Sequence, residues 1–244
     1  MQVDGVFNLN KPPRITSRQA VDRVKRALGV PKAGHGGTLD PDATGVLLVC
    51  LGKGTKLFDQ LQQGTKEYEG TLTLGITTDT LDASGNVQIV TDVGQVTEEE
   101  IRVAAQQFVG EIEQAVPMFS AVKHKGKRLY KLAHQGVALD ELPKRTVHVK
   151  SLEVLSVRPP HVQFRVVCSK GTYIRVLAAD IGAVLGCGAH LSQLTRTRSG
   201  DFTIESSHTL DWLEEQPSRA CEAIVPVDDV YDMGVGTTPN KDCR

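Results

Sequence analysis

One stretch, residues 34–56, constrains the fold more than any other part of the sequence. Its first half is rich in glycine, which permits backbone conformations closed to other residues, and contains the turn signal Asp40-Pro41. Its second half includes residues 46–51, an apolar run of strand length that a buried helix segment would also fit. The pattern predicts a loop, carrying Asp40 and His35, that is braced by a stiff apolar element.

Three functions are open to this loop from its residues alone. It is a structural turn in which Asp40 caps nearby amides, or a phosphate cradle of glycines, or a catalytic loop with a carboxylate nucleophile or base beside His35. Neither Gly-x-x-x-x-Gly-Lys-Ser/Thr nor Gly-x-Gly-x-x-Gly occurs here, so the phosphate cradle has little support.

A resemblance to a known family favours the catalytic reading. Residues 34–45 read Gly-His-Gly-Gly-Thr-Leu-Asp-Pro-Asp-Ala-Thr-Gly and resemble the signature of the bacterial TruB family, the pseudouridine synthases of the tRNA T loop. The resemblance runs from about residue 6 to residue 198 through further motifs in the same order: Lys11-Pro12, Lys66-Glu67-Tyr68, Ser120-Ala121-x-Lys123, Gly171-Thr172-Tyr173-Ile174-Arg175 and Gly186-Cys187-Gly188-Ala189-His190.

The resemblance implies an α+β fold of the pseudouridine-synthase type. We expect a mixed β-sheet with flanking helices and a central cleft that holds Asp40. The catalytic domain is predicted over residues 1–207, with only a short helix at 209–213 and an acidic tail in residues 208–244. Fewer than about 40 residues follow Ser207, too few for the PUA-type RNA-binding domain that the family commonly carries.

The implied reaction isomerises uridine 55 in the T loop of tRNA to pseudouridine. The N-glycosidic bond breaks, the base turns, and carbon 5 bonds to the sugar, so no metal or redox cofactor is expected. A carboxylate suits this chemistry as a nucleophile or as a base on a glycal-type path, and the sequence leaves both open. A uracil inside a folded loop must be extruded, at a cost of a few kcal/mol of unstacking.

The roles of individual residues follow from the same resemblance. Three catalytic residues are implied: Asp40 is the essential carboxylate, Tyr68 stacks on the uracil and is a candidate for proton transfer, and Arg175 pairs with Asp40 and keeps it ionised. Tyr173 and Leu194 are expected to line the uracil pocket. Two further substrate contacts are predicted: His35, which fills space left by flipped bases, and Lys11, which contacts phosphate unless it is a solvated loop lysine.

Charge is distributed unevenly, although the net charge is only −1. Residues 1–32 and 123–150 carry net charges of +5 and +6, and residues 201–244 carry −7. Local positive surface is what a nucleic acid contacts. The second basic segment interleaves aromatic residues with cations, which suits an RNA loop. Its predicted RNA contacts are Lys123, Lys127 and Arg128; the alternative is a solvated basic helix packed by Leu129, Leu132 and Ala133.

Local signals predict several elements. Capping boxes at Thr16/Gln19 and Thr97/Glu100 begin two helices, and Gly29 ends the first. A third helix places Arg175 in its first turn, where a cation opposes the helix dipole, so we expect a compensating anion, with Asp40 as the candidate. Strands are predicted at 66–76, 87–90, 146–155 and 162–168, and a short helix or turn at Leu191–Thr195.

Nothing in the sequence resembles a signal peptide, and it has no apolar run of membrane-spanning length. Five cysteines without metal-ligand spacing fit a reducing cytoplasm. We therefore expect a cytoplasmic monomer that acts on tRNA and needs neither a membrane nor a protein partner. Two alternatives stay open: a guide-RNA-dependent pseudouridine synthase of the dyskerin type, and a non-catalytic RNA-binding module in which the Asp40 loop is only structural.

Overall fold

The structure, a computed structural model, describes residues 3–137, 139 and 141–235. The chain divides into two compact units. The first consists of Met1–Tyr68 together with Thr195–Arg244, and the second is Glu69–Leu194. The helices in the part of the chain that is described are too short or too polar to cross a bilayer.

The strands, in chain order, are β1 (Gly5–Lys11), β2 (Ala33–His35), β3 (Thr44–Leu51), β4 (Lys66–Leu74), β5 (Ile76–Thr78), β6 (Val87–Val90), β7 (Gly110–Ala115), β8 (Lys123–His124), β9 (Lys127–Arg128), β10 (Lys144–Arg158), β11 (His161–Cys168), β12 (Ala189–Ser199), β13 (Phe202–Thr203) and β14 (Ile224–Pro226). The helices are α1 (Ser17–Ala27), α2 (Phe58–Gln63), α3 (Glu98–Gln106), α4 (Leu129–His134), α5 (Ile174–Val184), α6 (Leu210–Glu215), α7 (Pro217–Ala220) and α8 (Val227–Val230), with a 3₁₀ helix at Gly52–Leu57 and a π-helix at Tyr231–Val235.

In the first unit the strands pair in the order β14, β1, β3, β12. The apolar run at 46–51 is a strand, because β3 pairs antiparallel with β1 from Gly45 to Leu51. Seven of the eight residues of β3 are buried, which explains why the run is apolar throughout instead of alternating. β12 runs parallel to β3, with Thr195 opposite Thr44.

In the second unit the strand order is β4, β11, β10, β7, and β10 is antiparallel to both of its neighbours. β4 and β12 contribute residues to both units. Parallel and antiparallel pairs in one sheet, with helices beside it, confirm the predicted α+β class with a mixed sheet. The cleft at Asp40 and the domain boundary after residue 207 stay predictions.

Short-range signals predicted the helix ends well. Both capping boxes are present, at Thr16 with Gln19 and at Thr97 with Glu100. Gly29, just beyond α1, has a φ of +62°, which an L-residue with a side chain adopts only at a cost. The predicted strands are found with two differences: the one at 66–76 ends at Leu74, because Gly75 has a φ of +81° and Ile76 begins the separate strand β5, and β10 is longer than expected.

Two predictions about local structure are wrong. Leu191–Thr195 is part of strand β12, not a helix or turn. The Leu191 N–H donates to the Leu81 carbonyl at 3.0 Å, and Ser192 Oγ donates to the Thr71 carbonyl at 3.0 Å. These partners lie more than a hundred residues away, so no local pattern reports them.

The segment after α6 was expected to be only an acidic tail. It also forms β14, which pairs with the start of β1, and Val230 lies in the same apolar cluster as Val6 and Leu57. Ile224, Val225 and Val227 form a short apolar run, which is a local signal that could have indicated this packing. Residues 236–244 of the expected tail lie outside the described residues.

Candidate active site

Asp40 lies in the loop between β2 and β3. The Gly36 N–H donates to the Leu48 carbonyl at 2.8 Å where the hairpin ends, and the Ala43 N–H donates to the Asp40 carbonyl at 3.2 Å. Leu39 and Ala43 are buried on either side of the turn, whereas Asp40 is partly exposed. The apolar neighbours therefore anchor the turn, in which Asp40 stays partly exposed.

Ser17 fixes the chain immediately before Asp40. Its hydroxyl donates to the Leu39 carbonyl and accepts from the Leu39 N–H, both at 2.9 Å, and the side chain is buried. Ser17 is the first residue of α1, whose start is set by the Thr16 capping box. The start of α1 therefore fixes the position of the loop main chain at Leu39.

Lys11 fixes the chain immediately after Asp40. Its ammonium is completely buried and donates to the carbonyls of Pro12, Ile15 and Pro41, each at 2.8 Å. Burial lowers the pKa of Lys11 from 10.5 to about 8, against the opposing effect of the nearby Asp42 and Asp40 charges. Lys11 is therefore not a solvated loop lysine. With all three donors used internally, the role that its contacts support is holding the loop, not contacting phosphate.

We expect Lys11→Met to lower the free energy of unfolding by about 2 kcal/mol, because three part-buried carbonyls lose their donor at once and a fully buried one left without a donor costs about 1–3 kcal/mol. Urea unfolding of both proteins measures the difference. Lys53→Met is the matched control, since Lys53 is exposed and paired with Asp4 at the surface; it should change stability by less than about 0.5 kcal/mol. Equal effects of the two substitutions would contradict the anchoring role.

The same comparison has a defined pH dependence. Between pH 8 and 10.5 the unfolded chain keeps the Lys11 proton that the folded chain releases. Stability rises with pH wherever the unfolded state binds more protons, so the stabilisation from Lys11 is smallest below pH 8 and grows across this window. The difference between wild type and Lys11→Met should therefore widen from pH 8 upwards.

Arg196 is a buried cation that sequence reasoning recorded only as basic. Its side chain is 1% exposed; Nε donates to the Val46 carbonyl at 2.7 Å and Nη2 to the Gly37 carbonyl at 3.3 Å. Gly45 has a φ of +93°, and a Cβ there would collide with the main chain of Arg196. Gly45, the last residue of the signature motif, therefore allows strand β12, which carries Arg196, to pack closely against β3.

His35 is the last residue of β2, opposite Val49 of β3. Burial, and then the positive charge of Arg196, lower its pKa below the ordinary 6.5. The imidazole is therefore neutral at pH 7. Its predicted role of filling space in an opened RNA loop stays a prediction.

In the second unit, Arg175 lies in the first turn of α5, as predicted, and is 5% exposed. Nη2 donates to the Phe119 carbonyl at 2.8 Å and Nη1 to the Thr80 carbonyl at 3.4 Å. These carbonyl dipoles offset part of the unfavourable placement at a helix N-terminus. The pairing of Arg175 with Asp40 stays a prediction.

Tyr173 is the N-cap residue of α5 and is held through its main chain by Gln114. The Gln114 amide donates to the Tyr173 carbonyl at 3.3 Å, and the Tyr173 N–H donates to Gln114 Oε1 at 3.0 Å. The guanidinium carbons of Arg145 and Arg175 lie 5.2 and 5.8 Å from the centre of the tyrosine ring. Sequence reasoning missed Gln114 and Arg145, because nothing in their local pattern distinguishes them from ordinary strand residues.

Of the other predicted pocket residues, Tyr68 is buried on β4 and Leu194 lies on β12. Their contacts with uracil stay predictions.

The predicted RNA contacts lie on a two-stranded hairpin. β8 and β9 pair with Lys123 opposite Arg128, and Lys123, Lys127 and Arg128 are all exposed. The following helix α4 packs through Leu129 and Leu132 in a small apolar cluster. Apolar packing of α4 through Leu129 and Leu132 therefore occurs together with an exposed basic face on the hairpin.

Comparison with known proteins gives concordant matches. The family model for the N-terminal domain of TruB family pseudouridylate synthases matches residues 25–174, and that for the C-terminal domain of tRNA pseudouridylate synthase B matches residues 175–230. The chain is 48% identical over 223 residues to tRNA pseudouridine synthase B of Thiobacillus denitrificans, covering 91% of this chain and 74% of that protein. The corresponding protein of Symbiobacterium thermophilum is 48% identical over 221 residues, with 89% and 74% covered.

Solved structures show the same fold. A Cbf5–Nop10–Gar1 complex contains a chain with a TM-score of 0.73 and 36% identity, covering 94% of this chain and 62% of that one. An H/ACA RNP bound to a substrate RNA containing 2′-deoxyuridine gives 0.70 and 33%, with 94% and 61% covered. The present chain thus spans about three fifths of the length of these structural relatives.

Proposed function

The chain belongs to the TruB family of pseudouridine synthases, and we propose on this basis that it isomerises uridine 55, in the T loop of tRNA, to pseudouridine. The observation that carries the proposal is the loop of Asp40. Separate groups from β1, α1 and β12 (Lys11, Ser17 and Arg196) hold its main chain, while Asp40 itself stays partly exposed. Such anchoring keeps a reacting group in one position, which is the main requirement for proximity effects.

The chemistry assigned to Asp40 is consistent with both mechanisms that the sequence leaves open. As a nucleophile the carboxylate bonds to the sugar when the N-glycosidic bond breaks, and it leaves when carbon 5 of the turned uracil bonds to the same atom. As a base it removes a sugar proton on a glycal-type path and returns that proton when carbon 5 bonds to the sugar. On both paths carbon 5 then loses its hydrogen as a proton, and the ring nitrogen freed from the sugar gains one. In either case the product is an isomer of the substrate, so no oxidant or reductant enters the balance.

We assign the remaining roles by the family resemblance. Tyr68 stacks on the uracil, Arg175 pairs with Asp40, and Tyr173 and Leu194 line the pocket. His35 fills the space of flipped bases, and its neutral state at pH 7 suits contact with bases rather than with phosphates.

The direct test is incubation of the purified protein with an unmodified tRNA transcript, followed by mapping of pseudouridine. We expect modification at position 55 alone, with no added cofactor, guide RNA or protein. A transcript with cytidine at position 55 is the control. Wild-type protein that leaves position 55 unmodified would contradict the proposal.

A guide-RNA-dependent synthase is the second candidate, because chains in the Cbf5 and H/ACA RNP structures are 33–36% identical to this one. The same assay separates the two, since a guide-dependent enzyme needs the guide RNA. We propose the stand-alone function because the relatives named tRNA pseudouridine synthase B are 48% identical. A cytoplasmic monomer without an obligatory protein partner is part of this proposal.

We expect tRNA affinity to fall steeply with salt, because cations that neutralise phosphates release counterions. Reversing the charges of the exposed Lys123 and Lys127 to Glu should reduce the slope of log K against log salt by about 1.4 or more, at about 0.7–0.9 for each phosphate contact. Filter binding over a range of salt concentrations measures the slope.

The control for this double variant reverses Lys150 and Arg158, two exposed cations of β10 outside the hairpin. A slope as steep as that of wild type in the Lys123 and Lys127 variant would show that the hairpin lies away from the RNA.

A further inference from the structure

Tyr173 is held by two residues that lie outside the family motifs, Gln114 and Arg145. Gln114, which clamps the Tyr173 main chain, is 1% exposed and lies directly opposite Arg145 in the pairing of β7 with β10. Directly opposed residues of an antiparallel pair project to the same face of the sheet. The clamp and the arginine are therefore one cross-strand pair, and both contact Tyr173.

Arg145 is held where its guanidinium meets both the tyrosine ring and the turn before it. Its Nη1 donates to the Gly171 carbonyl at 3.4 Å, and its guanidinium carbon lies 5.2 Å from the ring centre. Gly171 has a φ of +79°, and a Cβ there would lie 2.9 Å from Nη1. The absence of a side chain at Gly171 thus leaves room for the guanidinium beside the turn.

The charge of Arg145 is not neutralised by a carboxylate within residues 3–137, 139 and 141–235. By contrast, the ammonium of its neighbour Lys144 lies 2.9 Å from a carboxylate oxygen of Glu113. Arginine presents five N–H donors in a planar fork, and one long bond to a carbonyl leaves most of them available. A partly buried guanidinium in this state is suited to bind an anion, and a phosphodiester matches its fork geometry.

We propose that Arg145 binds an RNA phosphate next to the nucleotide that is isomerised, and so is a substrate-contacting residue of the site formed around Tyr173. The inference rests on the proposed function, in which Tyr173 lines the uracil pocket. Gln114 is its positioning partner, because it fixes the backbone from which the Tyr173 ring projects. The cation–π contact holds the guanidinium in place before RNA arrives.

The test measures equilibrium binding to a T-arm stem-loop that already carries pseudouridine at position 55, so that no turnover occurs. Affinity is measured from 50 to 200 mM KCl for wild type, Arg145→Met, Arg145→Lys and Lys144→Met. Loss of one phosphate contact reduces the slope of log K against log salt by about 0.7–0.9. Wild type should therefore lose about threefold more affinity than Arg145→Met over this range, because the salt concentration changes fourfold.

The two other variants distinguish a phosphate contact from packing and from long-range charge. Arg145→Lys keeps the charge and should keep the slope of wild type even if it binds more weakly. Lys144→Met removes a neighbouring cation that is already paired with Glu113, and it too should keep the slope. A wild-type slope for Arg145→Met, or an equal reduction in Lys144→Met, would overturn the proposal.

Thermal unfolding of Arg145→Met verifies that the variant is folded, and Arg145→Gln takes its place if it is not. Modification of tRNA is assayed separately, so failure of the proposed function appears as absent turnover in wild type. Failure of the Arg145 assignment appears only in the salt slope.

Discussion

Asp40→Asn should reduce the rate of pseudouridine formation by at least about a hundredfold while leaving tRNA binding and folding nearly unchanged. The amide is neutral and far less nucleophilic, so it replaces the carboxylate neither as nucleophile nor as base, and general base catalysis alone contributes about 10²–10⁴-fold. Single-turnover assays at saturating enzyme separate this rate from binding.

The structure explains why the loss should be confined to chemistry. The contacts that hold the loop end on main-chain atoms of Gly37, Leu39 and Pro41. An isosteric change at the Asp40 side chain leaves these main-chain contacts intact, so we expect the Asp40→Asn protein to keep the folded loop.

Asp42→Asn is the matched control, since Asp42 is an exposed carboxylate two residues away in the same loop. Its rate should stay within about threefold of wild type, because only a reacting group contributes a factor as large as that expected for Asp40. Turnover by Asp40→Asn at a rate similar to that of Asp42→Asn would remove Asp40 from the catalytic role.

The elements that the sequence predicted correctly are those encoded by neighbouring residues. A capping box needs only Thr16 and Gln19, three positions apart, and the end of α1 needs only Gly29. The strand alternation of Tyr68, Leu72 and Leu74 is equally local, and all three are buried. The resemblance to a known family supplied the overall fold and the reaction, which local patterns do not contain.

What the sequence did not reveal depends on partners far apart in the chain. Ser17 and Leu39 are 22 positions apart, Lys11 and Pro41 are 30 apart, and Arg196 and Gly37 are 159 apart. A buried lysine or arginine looks like a surface cation until the carbonyls around it are known, because only those carbonyls offset its desolvation. The error at Leu191–Thr195 has the same origin, since strand pairing is non-local.

Arg175→Lys should lower the rate of pseudouridine formation by about a hundredfold, with only a few-fold loss of tRNA affinity. The fork of Arg175 donates from two separate nitrogens to Phe119 and Thr80. A lysine ammonium is a single point and lacks the planar geometry that serves two directions at once. The charge is kept but its position changes, and misplacement of a group by about 1 Å costs catalysis on the order of 10²-fold.

The expected split between rate and affinity is what assigns Arg175 to catalysis rather than to tRNA binding. Because the Arg175 side chain is 5% exposed, it is poorly placed to contribute a phosphate contact, and the salt dependence of tRNA binding by Arg175→Lys should be unchanged.

Arg102→Lys is the matched control, since Arg102 also donates to a main-chain carbonyl, that of Val154, but is partly exposed on α3. Arg175→Met, compared with wild type by urea unfolding, measures how far the cation also stabilises the fold. A wild-type rate in Arg175→Lys would show that catalysis does not need the two-directional guanidinium of Arg175. A loss of tRNA affinity equal to the loss of rate would instead make Arg175 a binding residue.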